Sequence, residues 1–325
     1  MQDPASIVRE AYERVRREYG SAIGQRRDEL ITPALVLDID AAQRNIDRMA
    51  GELRQLDRAT IRPHYKTHKS PDLARRQVDA GAGGLSMATV WEAAVLAAVG
   101  LDDLFVVNTV AHPAKLRVLA ELARDHRILV AVDEAPNAAA HSAAAVAAGS
   151  TIGIMIEVDT GMDRCGVDTA PDCLALARQV TELPGLRFEG ITGYEGHCSL
   201  TIDDELRHER QREAMSFFTG VADLIEADGI GCPIRSAGGI ATWNWTAAFP
   251  GLTEIQALVQ SEADAAAGRY FTAPELEMIL AARAKGIDLG DDADVVADMH
   301  ARGLPDAVCT ATLQALVAVH QQQAL

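Results

Sequence analysis

The stretch Arg62-Pro63-His64-Tyr65-Lys66-Thr67-His68-Lys69 decides the interpretation of this chain. It begins where an apolar segment predicts a β-strand, and a helix is predicted to start soon after it. In a (β/α) barrel the carboxyl ends of the strands carry the chemistry. Lys66 would therefore lie at the barrel mouth, among imidazoles and cations that lower the pKa of an amine. These features predict a nucleophilic amine at Lys66, suited to forming a Schiff base with a carbonyl compound.

Short apolar runs alternate with amphipathic helical segments from residue 31 onward, which is the pattern of a parallel sheet with crossover helices. Eight strands are predicted, at residues 34–37, 60–65, 84–87, 104–108, 127–132, 152–158, 188–194 and 232–236. The octapeptide thus lies where the second predicted strand ends. The predicted fold class is α/β, a (β/α)8 TIM-like barrel over residues 31–257. An N-terminal helical extension is predicted at 1–30 and a helical C-terminal region at 258–325.

The composition argues against several classes of function. A net charge of −17 would repel nucleic acid and anionic lipid. No apolar run approaches the roughly 20 residues of a membrane span, and the first residues lack an apolar signal-peptide core. We therefore expect a cytoplasmic protein with no membrane partner. The five cysteines are scattered without a C-x-x-C pair, which favours reduced thiols over a disulfide framework or a zinc finger.

Five motifs carry a resemblance to a known family. They are RPHYKTHK (62–69), DTGMDRCGV (159–167), GYEGHCS (193–199), SAGGIATWNW (236–245) and TEIQA (253–257). In order and approximate spacing they resemble the D-threonine aldolase and D-serine dehydratase group, which belongs to the alanine-racemase-like, fold-type III pyridoxal-phosphate enzymes. The resemblance covers about residues 31–257. It implies pyridoxal 5′-phosphate as the cofactor and a small D-amino acid as the substrate, and it is compatible with a homodimer.

The resemblance implies that Lys66 forms the Schiff base with the cofactor, with His64 beside it. The phosphate of the cofactor needs an anion site, which we predict at Ser236, Gly238, Gly239 and Thr242. Paired glycines let backbone N–H groups approach an anion, and hydroxyl groups can donate further hydrogen bonds. Loops after the late strands are also the usual phosphate sites of barrels. The alternative for this segment is an ordinary turn.

Four other residues receive roles from the resemblance. Arg164 matches an arginine that contacts the phenolic oxygen of the cofactor, and the alternative is a surface ion pair with a nearby aspartate. Tyr194 matches a residue beside the pyridine ring, and the alternative is a core tyrosine. His197 would position the substrate or the phenol, although a structural histidine is an equal alternative. Gln256 would face the ring or the phosphate.

The predicted activity is that of a pyridoxal-phosphate-dependent lyase that cleaves D-3-hydroxy amino acids by a retro-aldol reaction. In the family a second β-domain holds a divalent metal such as Mn²⁺, Mg²⁺ or Zn²⁺, and residues 258–325 do not match that domain. The His and Cys residues of this region are His300, Cys309 and His320, whose spacings fit no metal motif, so no metal ligand is predicted. The alternatives are a D-serine dehydratase-like enzyme, an amino-acid racemase or a non-catalytic pyridoxal-phosphate-binding protein.

Overall fold

The computed structural model describes residues 13, 14, 16–18, 20, 22–31, 36–56, 58–201 and 203–256. The chain divides into two compact units, Met1–Arg44 and Asn45–Leu325. In the first unit, residues 13, 14, 16–18 and 20 are helical and a 3₁₀ turn spans Arg27–Glu29. The predicted C-terminal helical region at 258–325 lies outside the described residues.

An eight-stranded parallel sheet forms the centre of the second unit. Its strands are β1 Thr60–Ile61, β2 Leu85–Met87, β3 Leu104–Val106, β4 Ile128–Val132, β5 Ile152–Val158, β6 Leu186–Gly193, β7 Ile234–Ala237 and β8 Glu254–Ile255. The strand order is β1-β8-β7-β6-β5-β4-β3-β2. The chain just after β1 also pairs with β2, because Ser86 N–H donates to the Pro63 carbonyl at 3.0 Å. The sheet therefore curls into a closed barrel.

Helices connect the strands, as parallel pairing requires. They are α1 Ile39–Leu56, α2 Pro71–Asp79, α3 Val90–Ala98, α4 Pro113–Leu122, α5 Ala135–Ala148, α6 Ala170–Glu182, α7 Gly196–Ser199, α8 Asp204–Ala227 and α9 Trp243–Ala248. Several of them begin at a residue whose side chain accepts a backbone N–H of the first turn. The side chain of Thr89 accepts the Glu92 N–H while Glu92 accepts the Thr89 N–H, a capping box that begins α3. No helix in the described part of the chain has the length and apolar character to cross a bilayer.

The prediction of a TIM-like barrel is confirmed. The first predicted strand, at residues 34–37, is wrong over the residues that the structure describes. In the predicted first strand, residues 34 and 35 lie outside the described residues, and Val36 and Leu37 are not in a strand and are 53% and 56% exposed. The eighth strand is instead Glu254–Ile255, within the TEIQA motif. The octapeptide consequently follows the first strand, and the glycine pair follows the seventh.

A buried ion-pair network explains why β8 escaped prediction. Two-residue strands show no apolar run, and Glu254 is a buried acid that pairs with Arg62 at 2.8 Å. The Arg62 guanidinium also pairs with Asp103 at 2.8 Å. Burial opposes the charge of Arg62, yet the two carboxylates outweigh it and raise its pKa. Paired in this way, a glutamate can occupy a strand inside the barrel.

Candidate active site

The turn that carries Lys66 lies directly at the carboxyl end of β1. Tyr65–Thr67 form a 3₁₀ turn, and His64 precedes it with its imidazole accepting the Lys66 N–H at 3.2 Å. Tyr65 is buried and anchors the turn, whereas Lys66 is exposed. The helix α2 begins soon after, at Pro71. The local sequence thus fixes the backbone of Lys66 and leaves its amine accessible.

The surroundings of Lys66 favour an uncharged amine. Partial desolvation and the charge of Arg164 lower its pKa, while Glu92 opposes this shift. His64 is neutral near pH 7, because burial and the charges of Lys66 and His68 lower its pKa to about 3. The neighbouring Lys69 differs, since its amine forms an ion pair with Glu92 at 3.1 Å. Of the two lysines, Lys66 is the one suited to nucleophilic chemistry.

Arg164 follows β5 and lies close to Tyr194. Its guanidinium carbon is 5.2 Å from the centroid of the Tyr194 ring, within range of a cation–π contact. Its nearest carboxylate is that of Glu157, with Nη2 3.4 Å from Oε1. Asp159, one of the aspartates considered as a partner, instead accepts backbone N–H groups from the following turn, including that of Gly161 at 2.8 Å. The local contacts of Arg164 are therefore with Glu157 and Tyr194.

Glu157 is a further group of this site that the sequence did not point to. It lies on β5, is 5% exposed, and accepts the Cys165 thiol at 3.0 Å as well as Arg164. Desolvation raises its pKa, while Cys165 and Arg164 act in the opposite direction. A buried carboxylate at this place holds the arginine in position beside the tyrosine ring.

The ring of Tyr194 is enclosed by two glycines. Tyr194 comes directly after β6 and is half-buried. A methyl group added to Gly239 would lie 2.8 Å from Tyr194 Cε2, and one added to Gly196 would clash with Cε1. Glycine is therefore required on both edges of the ring, which holds Tyr194 in one place between the β6 and β7 loops.

His197 lies one residue after Gly196, on α7. Its Nε2 is 3.5 Å from the Cys198 thiol, and its Nδ1 is buried without a hydrogen-bond partner in the described part of the chain. Desolvation lowers its pKa against the opposing charge of Glu195. A methyl group on Gly161 would lie 3.4 Å from its Cε1. His197 is thus a neutral imidazole packed against the loop that carries Arg164.

The predicted phosphate site, at Ser236, Gly238, Gly239 and Thr242, includes the loop at residues 237–242, which we call the glycine loop. Gly238 has φ +104°, a conformation that L side chains rarely adopt. The Gly238 N–H and the Thr242 hydroxyl both donate to Glu195, at 3.2 and 2.6 Å. Glu195 was not predicted, although its place two residues after β6, between Tyr194 and Gly196, was a signal for it.

Ser236 and Gln256 form a polar network just before the glycine loop. The Ser236 hydroxyl is buried and donates to Glu254 at 2.7 Å. The amide of Gln256 donates to Ser236 at 3.0 Å and to Thr192 at 2.9 Å. Both predicted residues therefore lie beside the loop, where their contacts join β6, β7 and β8.

The central amides of the glycine loop are suited to an anion. The N–H groups of Gly239, Ile240 and Ala241 donate no hydrogen bond to any described residue. Gly239 and Ala241 are nevertheless buried, and buried backbone N–H groups are almost always paired. Successive unpaired N–H groups form the kind of concave site that binds phosphate. The backbone of this loop therefore fits the phosphate group of a cofactor.

Metal ligands are not evident around these residues. Over the ranges that the structure describes, no group of three His, Cys, Asp or Glu side chains could hold a metal ion. His300, Cys309 and His320 lie outside those ranges.

Comparison with known proteins gives a consistent result. A D-threonine aldolase from an Arthrobacter species is 39% identical over 226 residues, which cover 70% of this chain and 59% of that protein. A 3-hydroxy-D-aspartate aldolase from Paracoccus denitrificans is 33% identical over 252 residues, covering 77% and 65%. The crystal structure of a D-threonine aldolase from Filomicrobium marinum superposes with a TM-score of 0.71 at 31% identity, covering 75% and 65%.

The chain spans less than two thirds of the length of these proteins, with 59% and 65% of the two aldolases covered. The sequence model of the alanine racemase N-terminal domain matches residues 37–253. That match covers most of the barrel and contains Lys66, Arg164, Tyr194 and the glycine loop. This chain belongs to the alanine racemase N-terminal domain family.

Proposed function

We propose that this protein is a pyridoxal-phosphate-dependent lyase that cleaves D-3-hydroxy amino acids, as the names of its aldolase relatives suggest. The observation that carries the proposal is that two suitable groups follow strands of one parallel sheet at their carboxyl ends. Lys66, an amine with a lowered pKa, follows β1, and the glycine loop, whose central N–H groups have no acceptor among the described residues, follows β7. One group suits the aldehyde of the cofactor and the other suits its phosphate.

Each residue has a role that follows from its chemistry. Lys66 would bind the cofactor covalently through Nζ, and its lowered pKa keeps more of that nitrogen uncharged. Arg164, held by Glu157, would keep the phenolic oxygen anionic. Tyr194 would place a phenol beside the pyridine ring, and Gly239 would bring its N–H to the phosphate. Bound in this way, the cofactor would supply an electron sink for the bond that breaks beside the amino group.

His197 has a lowered pKa, which favours the neutral imidazole, and a neutral imidazole can donate or accept a hydrogen bond. We assign it to the hydroxyl of the substrate. The divalent metal expected from the resemblance would act on the same hydroxyl, and its requirement is tested by assay.

The proposal is tested by incubating the purified protein with pyridoxal 5′-phosphate and D-threonine or 3-hydroxy-D-aspartate, with and without Mn²⁺. An aldehyde product, with no reaction of the L-isomers, supports the lyase. A keto acid would identify a dehydratase instead, and appearance of the L-isomer a racemase. Cofactor binding with none of these products would identify a non-catalytic binding protein. The Lys66→Ala variant is the control. It should be inactive, because the proposed reaction needs the amine of Lys66 to bind the cofactor.

A further inference from the structure

We propose that Glu195 is a positioning residue that shapes the glycine loop for the phosphate of the cofactor. The inference rests on the proposed function, because it assigns the loop to that phosphate. Glu195 directly follows Tyr194 in the chain, and it is only 1% exposed. Glu195 is therefore a buried acid next to a residue of the proposed site.

Three donors converge on this carboxylate. Oε1 accepts the hydroxyls of Thr242 at 2.6 Å and Thr246 at 2.8 Å, and Oε2 accepts the Gly238 N–H at 3.2 Å. The hydrogen-bond network continues to α8, where the amide of Gln211 donates to the Thr246 hydroxyl at 3.0 Å. All of these contacts are buried. A buried carboxylate with three donors is held firmly and is costly to disturb.

The contacts fix the loop near both of its ends. Gly238 lies near the start of the glycine loop and Thr242 at its end, so Glu195 ties the two together. Between them the N–H groups of residues 239–241 have no acceptor among the described residues. The carboxylate therefore satisfies the flanking donors and leaves the central ones for an anionic ligand.

Glu195 acts through the loop and does not touch the phosphate. Two anions in direct contact would repel each other in a poorly hydrated site. Backbone N–H groups that are already ordered bind an anion better than those of a mobile loop, because no ordering cost remains. Loss of the carboxylate should thus weaken recognition of the phosphate without changing the chemistry at Lys66.

The test compares pyridoxal 5′-phosphate with pyridoxal, which has the same aldehyde and ring but lacks the phosphate. Glu195→Ala removes all three acceptor contacts, and we expect the affinity for pyridoxal 5′-phosphate to fall about 10- to 100-fold. The affinity for pyridoxal should change less than about twofold on the same reasoning. Glu195→Gln keeps one carbonyl oxygen for the Gly238 N–H, so its loss should be intermediate.

A matched control removes another buried carboxylate of the barrel. Glu189 is similarly buried and pairs at 2.9 Å with Arg127. Arg127 precedes β4, at the amino end of the strands, whereas the glycine loop follows the carboxyl end of β7. Glu189→Gln should lower thermal stability but leave the ratio of the two affinities unchanged. Circular dichroism of each variant verifies that the protein is folded before titration.

A second readout needs no cofactor. In the ligand-free protein, hydrogen–deuterium exchange in a peptide containing residues 237–242 should be faster in Glu195→Ala and unchanged in Glu189→Gln. If Glu195→Ala lowers the affinities for pyridoxal and pyridoxal 5′-phosphate equally, or leaves hydrogen exchange in the loop unchanged, the inference about Glu195 is wrong. The proposed function would not be affected by that result. If the wild-type protein binds pyridoxal 5′-phosphate no better than pyridoxal, the proposed function fails, and this inference fails with it.

Discussion

The guanidinium of Arg164 lies over the ring of Tyr194, with its carbon 5.2 Å from the ring centroid. The two residues come from the loops after β5 and β6, and the arginine charge also lowers the pKa of Lys66. An arginine that faces an aromatic ring and influences an amine links three separate loops at one end of the barrel. The pKa of Lys66 should therefore change when the charged residues around it are replaced.

The pH dependence of cofactor attachment should move in opposite directions in two variants. Arg164 lowers the pKa of Lys66, so Arg164→Gln should raise it and shift the attachment profile to higher pH. Glu92 raises that pKa, so Glu92→Gln should shift the profile to lower pH. Arg164→Lys retains the charge and is the control for the first variant. The measurement is the initial rate of absorbance change on mixing with pyridoxal 5′-phosphate between pH 6 and 10; shifts of the same sign would contradict the electrostatic account.

Gly239→Ala should weaken cofactor binding by displacing the Tyr194 ring. The added methyl group would lie 2.8 Å from Cε2, closer than side-chain atoms can pack. Overpacking of this kind typically costs about 1–3 kcal/mol of folding stability. Because the ring would also be moved from its place beside the cofactor, the affinity for pyridoxal 5′-phosphate should fall as well. Gly220→Ala is the control, since a methyl group there meets nothing within 4 Å and Gly220 lies on α8. The control should bind the cofactor normally and gain about 0.5–1 kcal/mol of stability; equal affinities for both variants would count against the enclosed tyrosine.

Acid should destabilise the fold partly through His141. This residue is fully buried on α5, and burial lowers its pKa to about 4 from an ordinary value near 6.5. Between those values the unfolded chain binds more protons than the folded one, so the free energy of unfolding falls as pH falls. The contribution approaches about 3 kcal/mol at full loss.

His141→Leu should therefore flatten the decline between pH 6.5 and 4, as measured by urea denaturation at a series of pH values. The exposed His208 provides the comparison variant, His208→Gln, which should keep the wild-type slope. A His141→Leu curve parallel to wild type would show that this imidazole does not set the acid limit.

The sequence predicted the regular part of the barrel well. β4 is a continuous apolar run, β5 is apolar except for Glu157, and both are buried along their whole length. Their bounds differ little from those predicted. The two-residue strand β8 could not be predicted in the same way. Its Glu254 is stable there only because Arg62, almost 200 residues earlier in the chain, supplies a buried counter-charge.

Some of the site residues could likewise be predicted from the sequence and others could not. Lys66, Arg164 and Tyr194 could be grouped from sequence because each follows a parallel strand, and the carboxyl ends of such strands meet at one edge. The hydrogen bonds of Glu157 and Glu195 could not be predicted, because they depend on donors that the fold brings together. The assignments of all these residues, the cytoplasmic location and the homodimer stay predictions.

The most direct test of the account is to identify the residue that binds the cofactor. The protein is incubated with pyridoxal 5′-phosphate, reduced with borohydride, digested and analysed by fragmentation mass spectrometry. We predict the pyridoxyl phosphate mass on Lys66, its loss in Lys66→Ala and its retention in Lys69→Ala. A label on Lys69 or on another amine, with Lys66 unmodified, would contradict the central claim.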